Sequence, residues 1–125
     1  MSLEFHYVHG RPMITAKLQK GENRARYFEF LIDSGSDYTL LPESDGILLG
    51  IEYAKLPSTI TKVEIANLKF IETKKATVSI TLGENTFSIP ILIAKNGAER
   101  LLGRMGIFSK YDITFREERE LVIFH

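Results

Sequence analysis

The feature that most constrains the fold is a strict alternation of side-chain character over Thr77–Ala94. Val78, Ile80 and Leu82 alternate with Thr77, Ser79 and Thr81, and Phe87, Ile89, Ile91 and Ile93 resume the pattern after the turn-forming "GEN". A period of two places the apolar residues on one face of a strand and argues against a helix. The stretch therefore reads as a β-hairpin with one buried face. Shorter strands are expected at Glu4–Val8, at Pro12–Gln19, around Tyr111, Ile113 and Phe115, and at "ELVIFH" after a turn at "REER". Tyr27, Phe30, Leu31 and Ile32 form a denser apolar run, the pattern of a strand buried on both faces.

Between these strands, Val63 and Ile65 are apolar at odd positions, whereas Leu68 and Phe70 are apolar at even ones. A two-residue turn at Ala66–Asn67 accounts for the switch. It pairs Ile65 with Leu68 and Val63 with Phe70, so Thr59–Thr73 is expected to be a hairpin with one apolar face. Helical signal is sparse. Ser44–Gly50 has room for one turn, and "GRMGIFSKY", Gly103–Tyr111, is the expected short C-terminal helix, with Leu102, Ile107 and Phe108 facing inward. Many short strands in one small unit point to an all-β architecture, a compact barrel or sandwich.

The 125 residues are enough for one domain, 1–125, with its own core. Hydrophobic residues make up 44% and charged residues 26%, a globular balance. Sixteen basic residues offset sixteen acidic ones, so no overall charge draws the chain to nucleic acid or to an anionic membrane. The chain has no cysteine, which excludes disulfides, thiol catalysis and cysteine-bound zinc. No apolar leader or membrane-length segment is present, and the cytoplasm is the expected compartment. His6 and His9 are spaced i,i+3, which on a strand separates them onto opposite faces, so no metal site is expected there.

The chemistry concentrates in "FEFLIDSGSDYTLLP", Phe28–Pro42. Asp33 ends an apolar run and is followed by Ser34 and Gly35. A carboxylate fixed by a buried strand, a hydroxyl that locks the loop and a glycine whose N–H reaches the carboxylate are what acid-catalysed peptide hydrolysis needs. The triplet alone is weak: it arises by chance in about one chain in twenty of this length. Most such matches are β-turns. A second signature follows some seventy residues later, "ERLLGRMGIFSKYDITF", Glu99–Phe115.

Together, "LIDSGSDYTLL" and "LLGRMGIFSKYDITF" resemble the catalytic strand-loop-strand and the apolar-apolar-Gly-Arg segment of the retropepsin-like aspartic peptidases. The resemblance runs from Ala25 to the C-terminus. It implies a small closed β-barrel with a flap hairpin and one short C-terminal helix. It places Asp33, Ser34 and Gly35 in the catalytic triplet, with Ser34 interlocking with its counterpart across a dimer. It gives Asp37 and Arg104 the roles of a loop-supporting ion pair, with Leu101, Leu102 and Gly103 packed beside the loop. The Thr59–Thr73 hairpin falls where the family has its flap, which makes Ile65, Ala66, Asn67 and Leu68 candidate substrate contacts. Unlike family flaps, this segment has no glycine between Gly50 and Gly83.

A single Asp-Ser-Gly cannot supply two carboxylates. Catalysis then requires a C2 homodimer with one Asp33 from each subunit and an extended peptide as substrate. No metal or organic cofactor is implied. Ser36 is placed to donate its hydroxyl to the outer oxygen of Asp33. "ELVIFH" is either a core strand or a strand added at the dimer interface. The rival to an endopeptidase is a retropepsin-fold binding or dimerisation module with little turnover. The bland alternative is an unrelated barrel with a chance turn motif.

Overall fold

The computed structural model describes residues 2–57, 61–65 and 69–125. Ten strands and one α-helix follow one another as β1 (Leu3–His6), β2 (Met13–Gln19), β3 (Arg26–Ile32), β4 (Thr39–Pro42), α1 (Glu43–Leu48), β5 (Thr61–Ile65), β6 (Lys69–Leu82), β7 (Asn85–Ala94), β8 (Leu101–Leu102), β9 (Ile113–Arg116) and β10 (Leu121–Phe124). Strands run in the order β2-β3-β8-β4-β7-β6, and a further pairing of β2 with β6 closes these six into a barrel. Closure removes the free edges that an open sheet would expose.

The alternation in Thr77–Ala94 produces the expected hairpin, with β6 and β7 paired from Thr73↔Ala94 to Leu82↔Asn85. Val78, Ile80, Leu82, Ile89, Ile91 and Ile93 point into the barrel with Ile14, Leu18, Phe28, Phe30 and Ile32. Full burial of each such side chain contributes roughly 1.5–3 kcal/mol. β3 departs from expectation. Phe28, Phe30 and Ile32 are buried, but Tyr27 is 72% exposed and Leu31 only half-buried. The strand belongs to a closed barrel, so just one of its faces meets the core. Arg26 is half-buried at the start of that strand.

The sheet formed by β1, β10 and β9 lies outside the barrel ladder. β10 is its central strand, with Val122 and Phe124 in the core, and its neighbours on both sides belong to the same chain. "ELVIFH" is therefore a core strand with no edge left for a partner.

The short helix expected at Gly103–Tyr111 does not form; the α-helix of the described residues is α1, in mid-chain. Successive turns replace it. Phe108 N–H donates to the Arg104 carbonyl at 2.9 Å, and Tyr111 N–H to the Ile107 carbonyl at 3.0 Å. Gly106 interrupts them at φ +79°, a conformation that ends a right-handed helix. A Cβ there would also come within 2.9 Å of Ile89 Cγ2. The inward burial of Leu102 and Ile107 holds all the same, with Phe108 packed against the core.

The N-terminal end of β6 runs past β7 and pairs with β5 instead, as the expected flap hairpin. Its register differs from expectation: Ile65 faces Lys69 and Val63 faces Ile71. One more residue separates the strands than a two-residue turn allows. Moving the register by one residue puts Phe70 opposite Glu64 rather than opposite Val63. Ala66, Asn67 and Leu68 lie outside the described residues.

Candidate active site

β3 and β4 are consecutive strands, yet they are not neighbours, because β8 lies between them. β8 runs parallel to β3, with Leu31↔Leu101 and Ile32↔Leu102, and antiparallel to β4, with Leu40↔Leu101. The loop that joins β3 to β4, residues 33–38, must therefore pass over the end of β8. That crossing brings the two sequence signatures together.

Backbone hydrogen bonds fix the loop from both sides. Asp33 N–H donates to the Leu102 carbonyl at 3.0 Å, and Ser36 N–H to the Asp33 carbonyl at 3.2 Å. Arg104 N–H donates to the Ser36 carbonyl at 2.9 Å and Met105 N–H to the Asp37 carbonyl at 2.7 Å. Gly103 N–H donates to Oγ1 of buried Thr39 at 3.2 Å. A Cβ on Gly103 would overlap the Tyr38 backbone and come within 2.9 Å of the Ser36 carbonyl, so the close crossing requires glycine.

Asp33 itself is half-buried, whereas Ser34 and Gly35 are exposed. Gly35 N–H donates to Asp33 Oδ1 at 2.9 Å, the contact expected of that glycine. No donor among the described residues reaches Oδ2. The carboxylate is thus held by one oxygen and left open at the other.

Two expectations about the loop are corrected. The Ser36 hydroxyl does not reach Asp33; it donates to the Tyr38 carbonyl at 2.7 Å. It closes the turn, where a backbone acceptor two residues on lies within easy reach of a serine side chain. Asp37 and Arg104 are both exposed, and no ion pair between them occurs among the described residues. Their segments meet through the backbone instead. Both side chains line a surface depression with Met105, Gly106, Phe108 and Ser109.

The arginine–carboxylate fork expected at the Gly-Arg motif occurs four residues earlier. Arg100 donates from Nε to Asp45 Oδ2 at 2.5 Å and from Nη2 to Oδ1 at 3.1 Å. Asp45 is 3% exposed, and the Arg100 guanidinium lies 5.3 Å from the centre of the Phe28 ring. Hydrogen bonding to Asp45 raises the Arg100 pKa, against an opposing contribution from burial. Sequence reasoning missed this pair. Asp45 reads as a solvated helix acid, and nothing in the local pattern separates Arg100 from other surface charges.

Outside the barrel core, Leu40, Leu92 and Ala94 form a second apolar cluster, with Tyr38, Ile71, Ala98 and Leu101 packed against it. It adjoins the loop through Tyr38, whose hydroxyl accepts from Lys75 Nζ at 3.0 Å. Leu101 thus serves this outer cluster while Leu102 serves the core.

No family model matches the chain, and no curated protein matches it in sequence. Solved structures do match. A retropepsin-like aspartic protease from Rickettsia conorii superposes with a TM-score of 0.77 at 19% identity, over 99% of this chain and 89% of that one. The fold is retropepsin-like. The EIAV protease complexed with the inhibitor HBY-793 shares it at a TM-score of 0.58 and 18% identity, over 80% of this chain and 88% of that one. An unrelated barrel with a chance turn motif is thereby set aside. At these identities the retropepsin-like likeness is one of fold, and the chemistry of Asp33 has to be argued from its own surroundings. No helix among the described residues is long and apolar enough to cross a membrane.

Proposed function

We propose that the chain is an aspartic endopeptidase that works as a C2 homodimer, with Asp33 of each subunit meeting at the axis. The observation that carries this is the half-open carboxylate. Asp33 directly follows a core strand, Oδ1 accepts from Gly35 N–H, and Oδ2 has no donor among the described residues. One such group per chain makes half of a dyad. Two carboxylates at close range cannot both ionise, so they share one proton.

In the dyad the ionised carboxylate removes a proton from water as it attacks the scissile carbonyl. The protonated one donates to the carbonyl oxygen and supports the charge that develops there. The pair titrates as a unit. Ser34, exposed beside Asp33, faces its counterpart across the axis. An extended peptide lies across the cleft as an added strand, with apolar side chains against the partly exposed Leu101 and Ile71. The β5–β6 hairpin covers it, and Ile65, Ala66, Asn67 and Leu68 supply contacts. The chemistry needs no metal or organic cofactor. The rival reading, a binding or dimerisation module, draws no support from an Asp-Ser-Gly loop whose carboxylate stays accessible.

Subunit mixing tests the shared site. Excess inactive Asp33→Asn chain, added to wild type and allowed to exchange, converts active dimers into mixed ones with a single carboxylate. Activity per wild-type chain then falls with the fraction of mixed dimers. Activity indifferent to the added chain would mean that each subunit works alone.

A further inference from the structure

β8 contributes only Leu101 and Leu102 to the barrel, yet the loop bearing Asp33 is built on it. Two residues of ladder provide few hydrogen bonds to fix a strand along its own axis. The C-terminal end is fixed by Gly103 against Tyr38. The N-terminal end follows residues 95–100, which contain no regular element, so it needs another attachment. Arg11 and Glu99 make an ion pair there at 2.5 Å, but both side chains are 49% exposed. Pairs so open to solvent contribute little.

Arg100 makes the firmer attachment, because its partner Asp45 is buried, with a side chain 5% exposed, although the Arg100 side chain itself is 41% exposed. Its fork to Asp45 satisfies both carboxylate oxygens, and Asp45 without its partner would be a buried carboxylate left stranded. The same residue's carbonyl accepts Leu31 N–H at 3.0 Å, and two residues on the Leu102 carbonyl accepts Asp33 N–H at 3.0 Å. A slip of β8 displaces both acceptors together.

We infer that Asp45 and Arg100 are positioning residues for Asp33: the fork between α1 and the start of β8 sets the height at which the carboxylate stands in the cleft. This rests on the proposed role of Asp33 and extends it to a helix that touches no part of the reaction.

Amide hydrogen exchange, measured by NMR on wild type, Asp45→Asn and the double variant Asp45→Asn/Arg100→Gln, tests it alongside casein turnover. Asp45→Asn removes the buried charge and leaves Arg100 partly solvated, and the double variant removes both charges, so neither strands a buried charge. Leu31 and Asp33 amides are expected to lose about tenfold protection or more, while Ile80 in β6 keeps its own. In the same variants kcat falls about tenfold or more and KM stays within about twofold, because misplacement affects the chemical step. Unchanged protection at Leu31 and Asp33, or an equal loss at Ile80, would overturn the inference. So would an unaltered kcat in a variant that has lost that protection. A wild type that cleaves no casein would overturn the peptidase reading instead, and the exchange arm would still decide whether the fork holds Asp33.

Discussion

Gly103 sits so close to Tyr38 that a Cβ at Gly103 would overlap the Tyr38 carbonyl. The clash is with backbone, which cannot swing aside as a flexible side chain can. Gly103→Ala must push β8 away from the loop, and it is expected to cost about 3 kcal/mol or more. Urea unfolding measures the loss. A stability within about 0.5 kcal/mol of wild type would show that the crossing is looser than described.

Ser36 closes the loop through its hydroxyl bond to the Tyr38 carbonyl. Removing it in Ser36→Ala is expected to cost about 1 kcal/mol. Ser36→Thr keeps the hydroxyl and should recover most of that in the same denaturation experiment. Equal losses in both variants would assign the effect to something other than this bond.

Arg104 is exposed and makes its link to the loop through its backbone N–H. Arg104→Ala is therefore expected to leave the stability of the isolated chain within about 0.5 kcal/mol of wild type. A loss above about 2 kcal/mol in a thermal or urea melt would restore the side-chain pairing that the residue was expected to make.

Tyr53 supplies a pH signature. Burial, with the hydrogen bond to Glu72, pushes its hydroxyl from 10.0 up to about 12. A raised folded-state value means that the native state holds the proton more tightly than the unfolded chain. The resulting stability is fully present below pH 10 and is lost as pH rises from there through about 12. The difference in stability between wild type and Tyr53→Phe should shrink over that window. A constant difference would contradict the assigned environment.

The barrel was legible in the sequence because its signal is local. Val78, Ile80 and Leu82 announce their strand without reference to anything else, and Ile89, Ile91 and Ile93 do the same. Asp33, Gly35 and Gly103 were legible because loop chemistry and close crossings restrict residue type. What was not legible depends on partners far along the chain. Asp45 and Arg100 lie 55 residues apart and join only once β8 has inserted between β3 and β4. The flap register depended on one residue of turn length, which hydrophobic pattern alone does not fix. The short helix is interrupted at Gly106, which stands at φ +79° close against Ile89.

The central claim is that Asp33 does the chemistry, and one comparison tests it most directly. Wild type and Asp33→Asn are incubated with casein from acidic to neutral pH, with light scattering to establish that both are dimers. The Asn side chain keeps an oxygen to accept Gly35 N–H, so the loop should persist. The account predicts cleavage by wild type and none by Asp33→Asn at equal stability. Cleavage that survives in Asp33→Asn, or a folded wild-type dimer that cleaves nothing at any pH, would contradict it.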